Sequence, residues 1–182
     1  MSRKLLTAAL AVLALPVATA QAQMHYGVAA GLSAPEGDFG KVADAGYHVT
    51  GLVTVSAPLA PVGLRVEGSF SEFNYKSTLS STSAKARLLS ATANAVFASP
   101  GIMGPYLVGG LGIYRASAEC SGCSTSSTKG GFNGGAGFRF GLSGFSAFLE
   151  ARFHYIPGAS DATTGGVKSS TQFIPISFGL TF

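Results

Sequence analysis

The segment that most constrains the fold is the last ten residues, Phe173-Ile174-Pro175-Ile176-Ser177-Phe178-Gly179-Leu180-Thr181-Phe182. Successive side chains of an extended chain point to opposite sides. A strand here therefore puts Ile174, Ile176, Phe178, Leu180 and Phe182 on one face and Phe173, Pro175, Ser177, Gly179 and Thr181 on the other. The first face is apolar throughout, and the second is mostly small or polar. A tilted strand crossing the hydrocarbon core of a bilayer needs about 9 to 11 residues. The chain is expected to finish as a membrane-spanning strand with its apolar side in lipid.

A protein bound for a membrane beyond the cytoplasmic one needs an export signal, and the N-terminus has that form. Arg3 and Lys4 make a basic start, Leu5 to Val17 is an apolar stretch, and Ala20-Gln21-Ala22 is a small-x-small cleavage site. The expected cut follows Ala22, leaving 1–22 as signal peptide and 23–182 as one domain. The apolar stretch is shorter than the ~20 residues of a spanning helix. No Cys follows it, which argues against a lipoprotein cut.

Loss of the signal lowers the formal charge from +4 to +2, because two bases and no acid are removed. That leaves no basic excess of the kind nucleic-acid binders carry, so no nucleic-acid partner is expected. The chain is 47% hydrophobic and 11% charged, yet no internal run is long enough for a transmembrane helix. Apolar residues that are abundant but not clustered must be dispersed by alternation, which is the pattern of a membrane barrel.

Alternation recurs along the mature chain. Strands are expected near Met24–Ser33, Gly46–Ala57, Gly63–Tyr75, Ala84–Ala98, Pro105–Ala118, Gly131–Leu142, Phe145–Ile156 and the terminal segment. The fourth is Ala-rich enough to suggest a helix, but Ser90, Thr92 and Asn94 recur at every second residue. Connections after strands one, three, five and seven are long, and those after two, four and six are short. An even strand count with alternating loop lengths predicts an all-β fold, an eight-stranded antiparallel up-and-down transmembrane β-barrel. A soluble barrel with its apolar face inside has the same alternation.

If the apolar faces meet lipid, Arg65, Glu67, Arg139, Glu150, Arg152 and His154 point inward as a charge network. A barrel of this size has room inside only for side chains. The charges must therefore pair, with inward Gly27, Gly31, Gly109, Gly135, Gly137 and Gly141 making space. The network reads as a structural plug of salt bridges or as a narrow gated ion path. Tyr26, Tyr47, Tyr106, Tyr114 and Tyr155 are placed outward, as aromatic girdles at the two interfaces or as ordinary lipid-facing bulk.

Cys120-Ser121-Gly122-Cys123 falls in the third long loop. Redox use of C-x-x-C wants a helix N-terminus, and a zinc site wants four ligands. In an exported chain the expected state of Cys120 and Cys123 is a disulfide that stiffens the loop. His154 invites comparison with lipid A deacylases, small barrels that place a Ser two residues after their His. Position 156 here is Ile, and Ser160 lies beyond Pro157-Gly158. No catalytic, cofactor or metal residues are assigned.

Taken together, the export signal, Gly31-Leu32-Ser33-Ala34-Pro35-Glu36-Gly37-Asp38-Phe39-Gly40, Pro105-Tyr106-Leu107-Val108-Gly109-Gly110-Leu111-Gly112, Glu150-Ala151-Arg152-Phe153-His154-Tyr155 and the final Phe182 resemble the OmpA/OmpX-type small outer-membrane β-barrel family. The resemblance implies residence in the bacterial outer membrane. It implies contact with membrane lipid and lipopolysaccharide, and use of Phe178, Leu180 and Phe182 as the signal read by the barrel-assembly machinery. It does not imply one activity. The expected role is non-enzymatic, either structural or surface-interacting through the outer loops, in a monomer. A narrow porin-like channel is the alternative and a lipid A-modifying enzyme the third. The cell-wall tethering of longer relatives is not expected.

Overall fold

The computed structural model describes residues 23–57, 61–75, 85–120, 123–158 and 170–182, with the side chains of 118–120 and 123–125 outside the description. The expected signal peptide, 1–22, lies outside the described residues. The elements are β1 (Gln23–Glu36), α1 (Gly37–Val42), β2 (Gly46–Ser56), β3 (Val62–Asn74), β4 (Lys85–Ala98), β5 (Met103–Cys120), β6 (Cys123–Leu142), β7 (Phe145–Ile156) and β8 (Thr171–Thr181). Each strand pairs antiparallel with its sequence neighbours, and β8 returns to β1, so the sheet is a closed barrel without edges. The last pair is Tyr26 with Phe182, whose amides and carbonyls exchange hydrogen bonds of 3.1 and 2.7 Å. Both chain ends of the barrel therefore sit at one end, the terminal end; the other is the loop end.

Alternation sets the two surfaces. Val28, Leu32, Leu64, Val66, Leu107, Leu111, Ile176 and Phe178 are exposed on the outside, while Arg65, Glu67, Asn94, Glu150, Arg152 and Ser177 are buried in the lumen. This inversion of a soluble protein is what a lipid-facing barrel requires. A tight turn joins β6 to β7 at the terminal end. Between β6 and β7 only Ser143 and Gly144 intervene, and Gly144 takes φ of 92°, a conformation open mainly to glycine.

The loop end departs from expectation twice. The first long loop contains the six-residue helix α1, anchored by the bridge Ala43↔Tyr75 and by Asp44 N–H donating to the Asn74 carbonyl at 2.8 Å. The expected third loop is instead a continuation of β5 and β6, paired up to Cys120↔Cys123. Ser and Thr fill most of that stretch. As short side chains that tolerate extended backbone, they let the ladder run on. The disulfide expected of Cys120 and Cys123 falls on side chains outside the described residues.

Candidate functional site in the barrel lumen

Arg65 and Glu67 are two residues apart on β3, and Glu150 and Arg152 two apart on β7, so each pair shares the inward face. Four steps separate β3 from β7 around a ring of eight, which places the pairs on opposite walls. The order is Arg-x-Glu on one wall and Glu-x-Arg on the other, and opposite charges meet across the lumen. Arg65 Nη1 lies 2.9 Å from Glu150 Oε2 and 3.6 Å from Glu67 Oε1. Arg152 donates from Nη2 to Glu67 Oε1 at 2.9 Å and also pairs with Glu150 and with the second Glu67 oxygen.

Neutral groups complete the site. Thr92 and Asn94 donate to Glu67 Oε2 at 3.2 and 3.1 Å, Tyr106 OH donates to Glu150 Oε2 at 2.8 Å, and Arg65 Nε donates to Thr54 Oγ1 at 3.3 Å. All four charged side chains are buried and their formal charges cancel. Burial of an ion is tolerated only with such partners, since stranding one is strongly destabilising. Glycine provides the space: a Cβ at Gly137 would collide with the Tyr106 ring, and one at Gly135 with the β7 backbone at Ala151 and Arg152.

Apolar layers enclose the quartet. Toward the terminal end, Leu52, Val96, Tyr106, Val108 and Phe148 cluster, with the Arg65 guanidinium 5.4 Å from the Tyr106 ring centre and 5.5 Å from that of Phe148. Toward the loop end, Phe73, Leu88, Tyr114, Ile156 and Phe173 form a second cluster, capped by Phe39 of α1, whose ring meets Phe73 edge-on at 5.1 Å. Between quartet and cap lie two imidazoles. His48 bonds Ser33 Oγ through Nδ1 at 3.0 Å and Ser177 Oγ through Nε2 at 2.8 Å. His154 Nδ1 meets Tyr114 OH at 2.9 Å, and its ring stacks on Phe173 at 4.7 Å. A hydroxyl beside an imidazole is the geometry of an activated nucleophile. Here Ser33, His48 and Ser177 are all buried among the lumen side chains. The cavity beside the quartet holds about 30 Å³, room for a water molecule. Among the described residues no three His, Cys, Asp or Glu side chains are grouped to hold a metal.

Three sequence expectations are corrected. Arg139 shares the inward phase but lies near the terminal end of β6, where Nη2 donates to the Gly101 carbonyl at 2.8 Å, away from the quartet. Tyr106 and Tyr114 point inward, not outward, and are 4% and 1% exposed. Both faces of β5 are apolar, so alternation alone leaves its phase open. Burial selects the tyrosine face because each hydroxyl finds a partner there, Glu150 or His154, while Leu107, Leu111 and Ile113 go to lipid. Gly109 turns outward with them. Tyr26 and Tyr47 are exposed on the outside, and Tyr155 stacks there on Phe132 at 5.0 Å. Phe178 and Phe182 are exposed on the same surface, with Leu180 half-buried beside them. His48 was legible only as one polar residue of an alternating strand. Nothing local in the sequence marks it, since its partners lie on β1 and β8.

A closed eight-stranded barrel with an apolar exterior and a paired polar lumen defines an integral protein of the bacterial outer membrane. The chain belongs to the outer membrane protein beta-barrel domain family, whose model matches residues 5–182. No curated protein sequence matches it. Among solved structures, Neisserial surface protein A superposes with a TM-score of 0.62 at 16% identity, over 88% of this chain and 97% of that one. A major outer membrane protein of Thermus thermophilus gives 0.65 at 13% identity, over 89% and 98%. Ail of Yersinia pestis, solved with the heparin analogue sucrose octasulfate, gives 0.50 at 17% identity, over 88% and 97%. At these identities the likeness is one of fold.

Proposed function

We propose that this protein is a non-enzymatic structural and surface-interaction component of the outer membrane, with a lumen plugged by salt bridges. The observation that carries this reading is the neutral Arg65–Glu67–Glu150–Arg152 quartet held between two aromatic-rich layers. An ion crossing such a stack must separate paired buried charges and then pass Phe173 and Phe73, which are packed 5.9 Å apart. Recording in planar lipid bilayers tests it. The expected trace is baseline without steps, and a reproducible unitary conductance favours the porin-like alternative instead.

On this reading the partners are outer-membrane lipid and lipopolysaccharide, with an extracellular ligand engaged at the loop end by a monomer. Phe178, Leu180 and Phe182 form the outward face that the barrel-assembly machinery reads. Deleting Phe182 also removes the backbone pair with Tyr26. The folded, heat-modifiable fraction recovered in outer membranes should fall severalfold, and unchanged recovery contradicts the assembly role.

A further inference from the structure

Inside the barrel, some glycines are crossed by a side chain from the neighbouring strand. Tyr106, Gly137 and Glu150 are register partners on β5, β6 and β7. The Tyr106 ring lies over Gly137, where a Cβ would collide with it, and its hydroxyl donates to Glu150 Oε2 at 2.8 Å. His48, Gly31 and Ser177 repeat the arrangement on β2, β1 and β8: the imidazole passes over Gly31, and its Nε2 meets Ser177 Oγ at 2.8 Å. In both rows a long side chain reaches over a glycine and ties two strands that are not neighbours. Strands lie about 4.8 Å apart, so each tie spans roughly 10 Å between backbones.

A third row has the same form with shorter side chains. Asn94, Gly110 and Asn133 are register partners on β4, β5 and β6. A Cβ at Gly110 would meet the Asn94 amide oxygen, so Asn94 leans over the glycine. The next inward position of β5 is Gly112, which leaves that wall without a side chain between Val108 and Tyr114. Asn94 and Asn133 are 2% and 5% exposed, and Asn94 Oδ1 and Asn133 Nδ2 have no hydrogen-bond partner among the described residues. The other end of each amide is fixed. Asn94 Nδ2 donates to Glu67 Oε2 at 3.1 Å and to Thr92 Oγ1 at 3.0 Å, and Asn133 Oδ1 accepts from Arg152 Nη1 at 3.5 Å. Turning either amide round would set an oxygen against the Glu67 carboxylate or an NH2 against the Arg152 guanidinium. The Tyr114 hydroxyl, beside Asn133, is taken up by His154 Nδ1.

We propose that Asn94 and Asn133 hold one buried water molecule beside Gly110, which accepts from Asn133 Nδ2 and donates to Asn94 Oδ1. Chemistry selects the occupant. A cation would serve only the Asn94 oxygen and an anion only the Asn133 NH2, whereas water both donates and accepts. Buried waters of this kind sit where polar groups otherwise lack partners. The water makes the third tie, joining β4 to β6 across β5, and keeps the Asn94 NH2 turned toward Glu67. It does for two asparagines what the length of Tyr106 and His48 does directly. The site goes beyond the plugged-lumen reading and stands apart from it, since conductance tests the plug and occupancy tests the water.

Crystals of the full mature protein that diffract well enough to show ordered water provide the test. One density peak is expected within about 2.7–3.2 Å of both Asn94 Oδ1 and Asn133 Nδ2. In isotope-labelled protein in lipid nanodiscs, the Asn133 side-chain NH2 should show a cross-peak to a long-lived water. Asn133→Leu should abolish the density peak, and a peak that survives in that variant counts against the assignment. Absence of the peak from the unaltered protein overturns the proposal, as does Asn133 Nδ2 found on the Tyr114 hydroxyl, and both results stand even if the variant does not fold. A peak that scatters anomalously after soaking in rubidium or bromide makes the occupant an ion and overturns it equally.

Discussion

Two groups of charges occupy the same strand, β3, five residues apart and on opposite faces. Glu67 points into the lumen, where Arg152, Arg65, Thr92 and Asn94 hold it out of solvent. Glu72 is on the outer face at the rim; its own side chain is 9% exposed, but the Lys85 and Arg87 side chains that cover it are 48% and 40% exposed. The chemistry of pairing is the same in both. The difference is what surrounds it: beside the quartet there is room for about one water molecule, whereas at the rim the cations are open to bulk solvent. The first group is enclosed by the barrel and the second lies at its outer surface.

Replacing one member of the inner group puts that contrast to its hardest test. Arg152→Met leaves Glu67 and Glu150 to share Arg65, one buried negative charge uncompensated, and should destabilise the barrel by about 3–5 kcal/mol, seen as a lower urea midpoint for loss of the heat-modifiable form. A change no larger than that of a surface variant would mean that the lumen is wetter than its packing implies. An intermediate effect is expected of Glu67→Met combined with Arg152→Met. Removing both partners of a buried pair spares the stranded charge, so the double variant should be more stable than the sum of the two single ones predicts. Strict additivity would separate Glu67 from Arg152 and break the quartet into independent contacts. The smallest effect is expected at the rim. Glu72→Gln should lower the urea midpoint slightly and far less than Arg152→Met, because the carboxylate is only 9% exposed but both of its cations remain in reach of solvent. Added salt should weaken the rim pairs, whose cations are exposed, more than the enclosed quartet.

Much of the barrel was legible from residues alone. The seventh strand is found where alternation puts it, Phe145–Ile156, because Glu150, Arg152 and His154 contrast sharply with Leu149, Ala151 and Phe153. Glu67 and Arg152 were legible as inward charges for the same reason. β5 was not: Tyr106, Val108 and Tyr114 on one side and Leu107, Leu111 and Ile113 on the other are all apolar by composition, and only the buried hydroxyl partners decide between them. The β5–β6 extension also escaped notice, because Ser- and Thr-rich sequence is compatible with either a loop or a ladder, and pairing needs the second strand to be present.

The sequence by itself determined that the chain alternates, how many strands it makes, that the last can close on the first and that the lumen would hold both signs of charge. These follow from local chemistry with a period of two. Only the tertiary structure decided which charges meet, because the partners are 85 residues apart in sequence and come together through the stagger of a closed ring. It also drew Arg139 off to a turn carbonyl, stacked His154 on Phe173, and seated Phe39 over the loop-end aromatic cluster. Alternation tells a side chain which side of its own strand it occupies. What stands opposite depends on every other strand at once.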